Sequence, residues 1–313
     1  MPNPVTTGTT YAGTFAGKYL SASLLSAPTL DNGGITILPN VAYKQVLQNL
    51  STSTPIVANA NCDFQTGGGV VTLTEKVLTT KELQVNIQLC KMDLMQTWQV
   101  AEMGYSSYGQ MPKSFDDFLI AHVSAKVASA TETNIWSGAS GSGTFDSIKT
   151  LALADGSVID VAGLVGNNLN ASVIIAEMGK VVDAIPASLY GKEGLKLYVS
   201  QKVAKLYVRA LGGFGASGLG ANGTNAQGTQ WYTNGSLSFD GIPVFMANGL
   251  GADNMLATTT DNLFFGCGLL NDKNVVQTID MSPIDGSLNY RVIMRYNAGV
   301  QIGVGADVVL YGV

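Results

Sequence analysis

The sequence predicts an α+β fold built around one unusually long helix and closed by an ordered β-rich C-terminus. Three observations lead there. Leu288, Tyr290, Val292, Met294 and Tyr296 alternate with Asn289, Arg291, Ile293, Arg295 and Asn297, a two-residue period that gives one apolar and one mostly polar face. Ser114 to Trp136 carries helical periodicity over more than five turns. Helical and strand patterns are otherwise mixed along the chain, with no repeat of solenoid period.

Taken in order, residues 1–40 are rich in Thr, Ser, Ala and Gly, and read as an extended arm with little core of its own. Val41 to Leu50 suits a short amphipathic helix, ended by Ser51-Thr-Ser-Thr-Pro55. Val70–Thr74 is β-prone, and Glu82–Cys90 alternates Leu83, Val85, Ile87 and Leu89 with polar residues. These two runs are expected to pair as a long, projecting hairpin over about residues 55–90.

The long helix has Ser114 as its N-cap and Asp116 and Asp117 at its positive end, with Phe115, Phe118, Leu119, His122 and Lys126 following helical spacing toward Ile135 and Trp136. Some twenty residues make a rod of roughly 30 Å. A second helix is expected from Ser172 to Leu189, with Ile174, Met178, Val181, Ile185 and Leu189 on one face and a kink at Pro186. Leu195–Val199 is a strand, Ser200 caps a helix to Leu211, and a loop runs from Gly212 to about Gln230. From Leu237 onward the chain is mostly β, turning at Asp240-Gly241 and Asp285-Gly286; the final long strand breaks at Ala298-Gly299.

Composition points to self-association. Charged residues make up only 12% of the 313 residues, against roughly a quarter in ordinary globular chains, and mean hydropathy is +0.22. No apolar run approaches the ~18 residues of a membrane span. Surface depleted of charge is instead what the cores of subunit interfaces look like. The first residues lack a basic and an apolar signal region, so an intracellular origin is expected. Cys62, Cys90 and Cys267 are odd in number and far apart, which favours buried reduced thiols over disulfides or a zinc site. A net charge of −5 without a Lys/Arg cluster disfavours a nucleic-acid reader.

Sites for chemistry are scarce, and neither a cofactor nor a metal is expected. His122 is the only histidine and sits mid-helix, which favours a structural role over a catalytic or metal one. Gly213-Phe-Gly215-Ala-Ser-Gly218 matches the dinucleotide-binding pattern literally. That site needs a strand before the glycines and a helix after them. Here a helix precedes and Leu219-Gly-Ala-Asn-Gly follows, so a contact loop containing Gly213, Gly215 and Gly218 is the better reading. Adjacent Asp116 and Asp117 point in different directions on a helix, and Asp253, Asp261, Asp272 and Asp280 have no ligand-like spacing. Arg291 and Arg295 share a strand face about 13 Å apart. They either pair with carboxylates of a neighbouring element or subunit, or lie on a solvated sheet face.

The order of parts resembles the major capsid proteins of tailed phages, the Hong Kong 97-type fold. The resemblance covers about residues 40–313: a long hairpin, the helix ending at Trp136-Ser-Gly138, a helix–strand–helix across 172–211, and Phe239-Asp-Gly-Ile-Pro-Val-Phe245 followed by Tyr290-Arg-Val-Ile-Met-Arg-Tyr-Asn297 and a closing β run. It implies an N-terminal arm (1–40), an extended-loop region (41–95), a peripheral domain with the spine helix (96–159), an axial domain (160–275), peripheral return strands (276–300) and a C-terminal axial strand (301–313). It further implies a non-enzymatic virion shell of pentamers and hexamers enclosing double-stranded DNA without reading its sequence. Assembly would occur in the host bacterial cytoplasm, with portal, scaffold and decoration proteins as further partners and no membrane. Without a long charged N-terminal segment, any scaffold would be a separate protein. Some members crosslink through a Lys–Asn isopeptide bond, for which Lys76 or Lys81 with Asn289 or Asn297 are the candidates, although no motif fixes the pairing. The rivals are an encapsulin-type compartment shell, a nucleotide-using enzyme and a surface adhesin.

Overall fold

A computed structural model describes residues 28–53, 56, 71–90, 113–164, 169–211, 237–268 and 277–312. Its elements are α1 (Pro28–Asp31), β1 (Thr36–Leu38), β2 (Lys44–Thr52), β3 (Val71–Thr79), β4 (Lys81–Cys90), α2 (Lys113–Ser137), α3 (Ile148–Ala154), β5 (Ile159–Val161), α4 (Ile174–Asp183), β6 (Leu195–Val199), α5 (Gln201–Leu211), β7 (Ser238–Phe239), β8 (Ile242–Met246), β9 (Met255–Thr259), β10 (Leu263–Cys267), β11 (Gln277–Asp280), α6 (Ser282–Asp285), β12 (Asn289–Ile302) and β13 (Val309–Tyr311).

The long strand β12 organises one sheet. Along one edge it pairs with β4 from Asn289 to Ala298. Its other edge pairs first with β11 and then with β10, while β1 adds in parallel to β10. The expected alternation holds: Tyr290, Val292, Met294 and Tyr296 are buried and face Ile120, Val123, Val127 and Trp136 of α2 in one core. Two apolar stripes, one of period two and one helical, therefore cover each other. Lys126 is exposed rather than on the packed face, because that stripe runs through its neighbour Val127.

A second, six-stranded sheet has the order β5-β13-β9-β6-β8-β7. One face, with Leu197, Val199, Met255 and Val309, packs under α4 and α5. The opposite face joins the first core through Tyr198, Leu256 and Leu310. Buried on both faces, β6 reads as an almost continuous apolar run. Ser200 caps α5 as expected, accepting from Val203 N at 3.3 Å. The Asp240-Gly241 turn has φ values of +46° and +77°, which fits the primed hairpin turn that its sequence requests.

Several expectations are corrected. Residues 44–52 form strand β2, not a helix, and the hairpin is β2–β3, paired from Lys44↔Thr79 to Thr52↔Val71. Only Thr80 separates β3 from β4, too short a link for those strands to fold back on each other. With Leu83 buried and Val85, Ile87 and Leu89 packed against the first core, β4 instead lies beside β12. Strand β12 does not break at Ala298-Gly299: a Cβ on Gly299 would lie 2.4 Å from Thr79 O, so the glycine permits close passage of β3's end. Helix α4 stops at Asp183, before Pro186, instead of kinking there.

Residues 28–38 belong to the body rather than to an extended arm, with Thr29, Leu30 and Ile35 buried. Trp136 Nε1 donates to Thr29 Oγ1 at 2.7 Å, and Thr29 Oγ1 donates to Glu132 Oε1 at 2.5 Å. Tyr198 OH donates to Gly34 O at 2.5 Å. These bonds fasten the segment over the end of α2. Strand β10 lies in the first sheet, between β1 and β12.

Candidate functional site

For a chain predicted to act by self-association, the relevant sites are surfaces that one copy leaves incomplete. The β2–β3 hairpin is the foremost. Directly opposed residues of an antiparallel pair share a face. Val46↔Val77 and Leu50↔Leu73 therefore stand on one face, separated by the polar pair Gln48↔Glu75 and followed by Val71 opposite Thr52. The valine and leucine side chains are 42% to 63% exposed. Apolar side chains exposed on a two-stranded ribbon, which is at best marginally stable alone, make this face the candidate contact surface.

The reverse face of the hairpin is anchored. Leu78 is fully buried, and its Cδ2 would lie 2.5 Å from a Cβ on Gly266. Gln301 Nε2 donates to Val77 O at 2.8 Å, and Thr80 N donates to Tyr43 O at 3.0 Å. Lys76 Nζ meets Asp155 Oδ2 at 2.5 Å. That ammonium, helped by Ser157, holds the Asp155 carboxyl down at about 2. One face thus grips the body while the other presents apolar side chains outward.

Lys81, expected on the hairpin, stands instead at the start of β4 and donates to Ser140 Oγ. Asn297 lies opposite Glu82 on the polar face, and its Nδ2 donates to Ala42 O at 3.4 Å.

Arg291 and Arg295 share the outward polar face of β12 as expected, opposite Gln88 and Gln84 of β4. Arg291 Nε donates to Gln88 Oε1 at 2.9 Å, so its partner is an amide of the neighbouring strand rather than a carboxylate. Arg295 is exposed and lines an open cleft of about 570 Å³ with Glu82, Gln84, Ser142 and Gly143. Among the described residues no carboxylate lies within ion-pair distance of it.

Gly213, Gly215 and Gly218 lie outside the described residues. Before them runs helix α5, not the strand a dinucleotide site needs. The backbone of His122 is mid-helix in α2. Cys90 is half-buried and Cys267 buried, both as free thiols, with burial pushing the Cys267 thiol up; Cys62 lies outside the described residues. Among the described residues no cluster of metal-ligating side chains occurs, and no helix is long and apolar enough to cross a membrane.

Sequence reasoning missed two features. The exposed apolar face was hidden because Val46 and Leu50, four apart, also fit a helix face. The tie between Lys76 and Asp155 spans 79 positions, and no local signal announces it.

The long helix against a β12-centred sheet, the β2–β3 hairpin and the second sheet with its two helices together are the Hong Kong 97-type fold, the architecture of tailed-phage capsid subunits. No protein-family model matches the chain, and no curated protein matches it by sequence. Solved structures do match over nearly its whole length. The capsid of the native GTA particle is 14% identical, covers 99% of this chain and 94% of its own, and has a TM-score of 0.61. The capsid of Myoviridae phage XM1 is 12% identical, with 91% of each chain covered and a TM-score of 0.55. The virus-like particle from Pyrococcus furiosus is 9% identical, covering 95% of this chain and 98% of its own at a TM-score of 0.52.

Proposed function

We propose that this chain is a major capsid protein, a structural subunit that assembles with copies of itself into a closed icosahedral shell around double-stranded DNA. The observation that carries the reading is the β2–β3 hairpin, which leaves Val46, Leu50, Val71 and Leu73 of one face about half or more exposed. A second copy is the natural cover for such a face on a chain so poor in charge. The match in fold to capsid structures over more than nine-tenths of both chains supports it. Pentamers and hexamers would be the rings of the shell. The α2 sheet would be the peripheral layer and the six-stranded sheet the axial one, while Gly213–Gly218 would lie near the ring centres and residues 1–27 would clasp neighbours. The role is that of a building block rather than an enzyme.

Negative-stain electron microscopy of the full chain tests this: closed particles, tubes or ring-shaped capsomers are expected. A stable monomer at high concentration would defeat it. The likeness to the Pyrococcus furiosus particle motivates a second reading, a compartment shell without a genome. Purified native particles decide between them, since nuclease-protected DNA supports the phage head and a protein cargo supports the compartment.

A further inference from the structure

The six-stranded sheet is electrically uneven from one end of its strands to the other. Where β6 and β8 finish, an open groove of about 480 Å³ is lined by Lys202, Lys205 and Arg209 of α5 and by Asn248 and Gly251. The three cations recur at helical spacing, so they stand on one side of the helix, and all are exposed. Asp253 neutralises only one of them, its Oδ1 lying 2.7 Å from Lys202 Nζ. Among the described residues neither Lys205 nor Arg209 meets a carboxylate.

Where β6 and β8 begin, the sign reverses. Glu193 precedes β6 and Asp240 sits in the turn before β8. Asp261 follows β9, whose Thr259 pairs with Leu195; the adjoining Thr260 N donates to Gly194 O at 3.0 Å. All three carboxylates are exposed. Two cations share this end: Lys192 is exposed, while Lys196 is turned inward, donating to Gly33 O at 2.8 Å and lying over the Phe245 ring.

The strands between the groove's mouth at Lys202, Asn248 and Gly251 and the acidic edge are about 17 Å long, and α5 runs back over them, Tyr207 OH donating to Ser238 O at 2.7 Å, with Lys205 and Arg209 on its outer side. Two copies placed head to tail bring groove and edge together, and a repeated head-to-tail contact gives a ring where the rotation between copies closes and an open filament where it does not. We propose that the groove along α5 receives the Glu193–Asp240–Asp261 edge of a second copy, as the neighbour-to-neighbour contact within a ring of subunits. This rests on the shell reading above and names the surfaces that reading requires.

Charge reversal in the full chain tests it. Lys205→Glu with Arg209→Glu, or Glu193→Lys with Asp240→Lys, should each lower the yield of rings and shells at least about tenfold, as like charges are juxtaposed. Circular dichroism should remain unchanged. The quadruple variant should restore assembly, and an equimolar mixture of the two double variants should form alternating six-membered rings. If a reversed variant misfolds, Lys205→Gln with Arg209→Gln should still weaken assembly. Folded double variants that assemble like the parent chain would overturn the proposal and leave the shell reading standing. So would failure of both the quadruple variant and the mixture to restore rings. A groove variant that loses oligonucleotide binding but assembles normally would show a nucleic-acid site instead. If the parent chain itself forms no assemblies, both readings fall.

Discussion

Lys76 and Asp155 lie 79 positions apart in sequence, yet their Nζ–Oδ2 contact of 2.5 Å fastens the β2–β3 hairpin to the end of α3. The pair is partly exposed, so its direct contribution is about 1 kcal/mol or less. Its effect is on the direction of the hairpin rather than on the cores. Lys76→Met or Asp155→Asn should leave the melting transition nearly unchanged and speed proteolytic cleavage within β2–β3. Equal cleavage rates in variant and parent would show that the pair restrains nothing.

The same pair has a defined pH window. Asp155 is depressed in the folded chain from 3.8 to about 2, first by the Lys76 hydrogen bond and then by Ser157. A depressed carboxyl contributes its stability above the unfolded value and loses it as pH falls through the folded one. The hairpin should therefore keep its protection at pH 5 and lose it only between about pH 4 and pH 2. Asp155→Asn should remove that pH dependence, which protease protection or hydrogen exchange can measure.

The two faces of the hairpin should respond oppositely to substitution. Leu73→Asp or Leu50→Asp alters side chains more than half exposed and should scarcely change monomer stability. In an assembled shell, each leucine buried by a neighbour is worth up to about 1.5–3 kcal/mol, so assembly should fail. Leu78→Ala on the anchored face removes a fully buried side chain and should cost the fold about 2–5 kcal/mol. Denaturant melts combined with sedimentation separate these outcomes; a melting loss for Leu73→Asp as large as that for Leu78→Ala would exclude the assembly role.

How much of this was legible in the chain depended on whether local pattern or distant pairing decided the matter. The alternation of Tyr290 to Tyr296, the run Leu195–Val199, the cap at Ser200 and the Asp240-Gly241 turn each carry their signal within a few residues, and each is where it was expected. Residues 44–52 were misread because Val46 and Leu50 satisfy both periods, and only the partner strand β3 resolves them. The pairing of β4 with β12 joins residues about two hundred positions apart, which no local signal encodes. Among the expected contact residues, the arginine pair was legible as a shared face. That Arg291 would find Gln88, leaving Arg295 at an open cleft, depends on that same pairing.

Thr29 is the hinge of a buried network that should report on the N-terminal segment. Its Oγ1 accepts from Trp136 Nε1 and donates to Glu132 Oε1, and its backbone N donates to Glu132 Oε2 at 3.2 Å. Thr29→Val removes the hydroxyl while keeping the shape, leaving an indole N–H and a carboxyl oxygen short of partners, at a cost of about 1–3 kcal/mol. Burial is the main influence on Glu132 and raises its carboxyl above 4.5 in the folded chain. A raised carboxyl favours the fold below its unfolded value, and that contribution is lost as pH rises through the folded one. Acidification should therefore preserve this anchor under conditions that release Lys76 from Asp155. Glu132→Gln, which retains hydrogen-bonding capacity without the buried charge, should be tolerated better at pH 7 than Thr29→Val.

Arg295 offers the most direct separation of folding from assembly. It is exposed on β12 at an open cleft, with no carboxylate in ion-pair distance among the described residues. Surface substitutions without such partners usually change stability by less than about 0.5 kcal/mol. Arg295→Ala should therefore melt like the parent chain while its yield of assembled particles falls, because a guanidinium at an interface can engage a neighbour's carboxylate in two parallel hydrogen bonds. Arg295→Lys should recover assembly only in part, since an ammonium lacks that planar fork. Arg291→Ala should instead show a small folding loss through Gln88. Equal losses of stability and assembly in Arg295→Ala would place the residue among the fold's own supports and remove it from the contact surface.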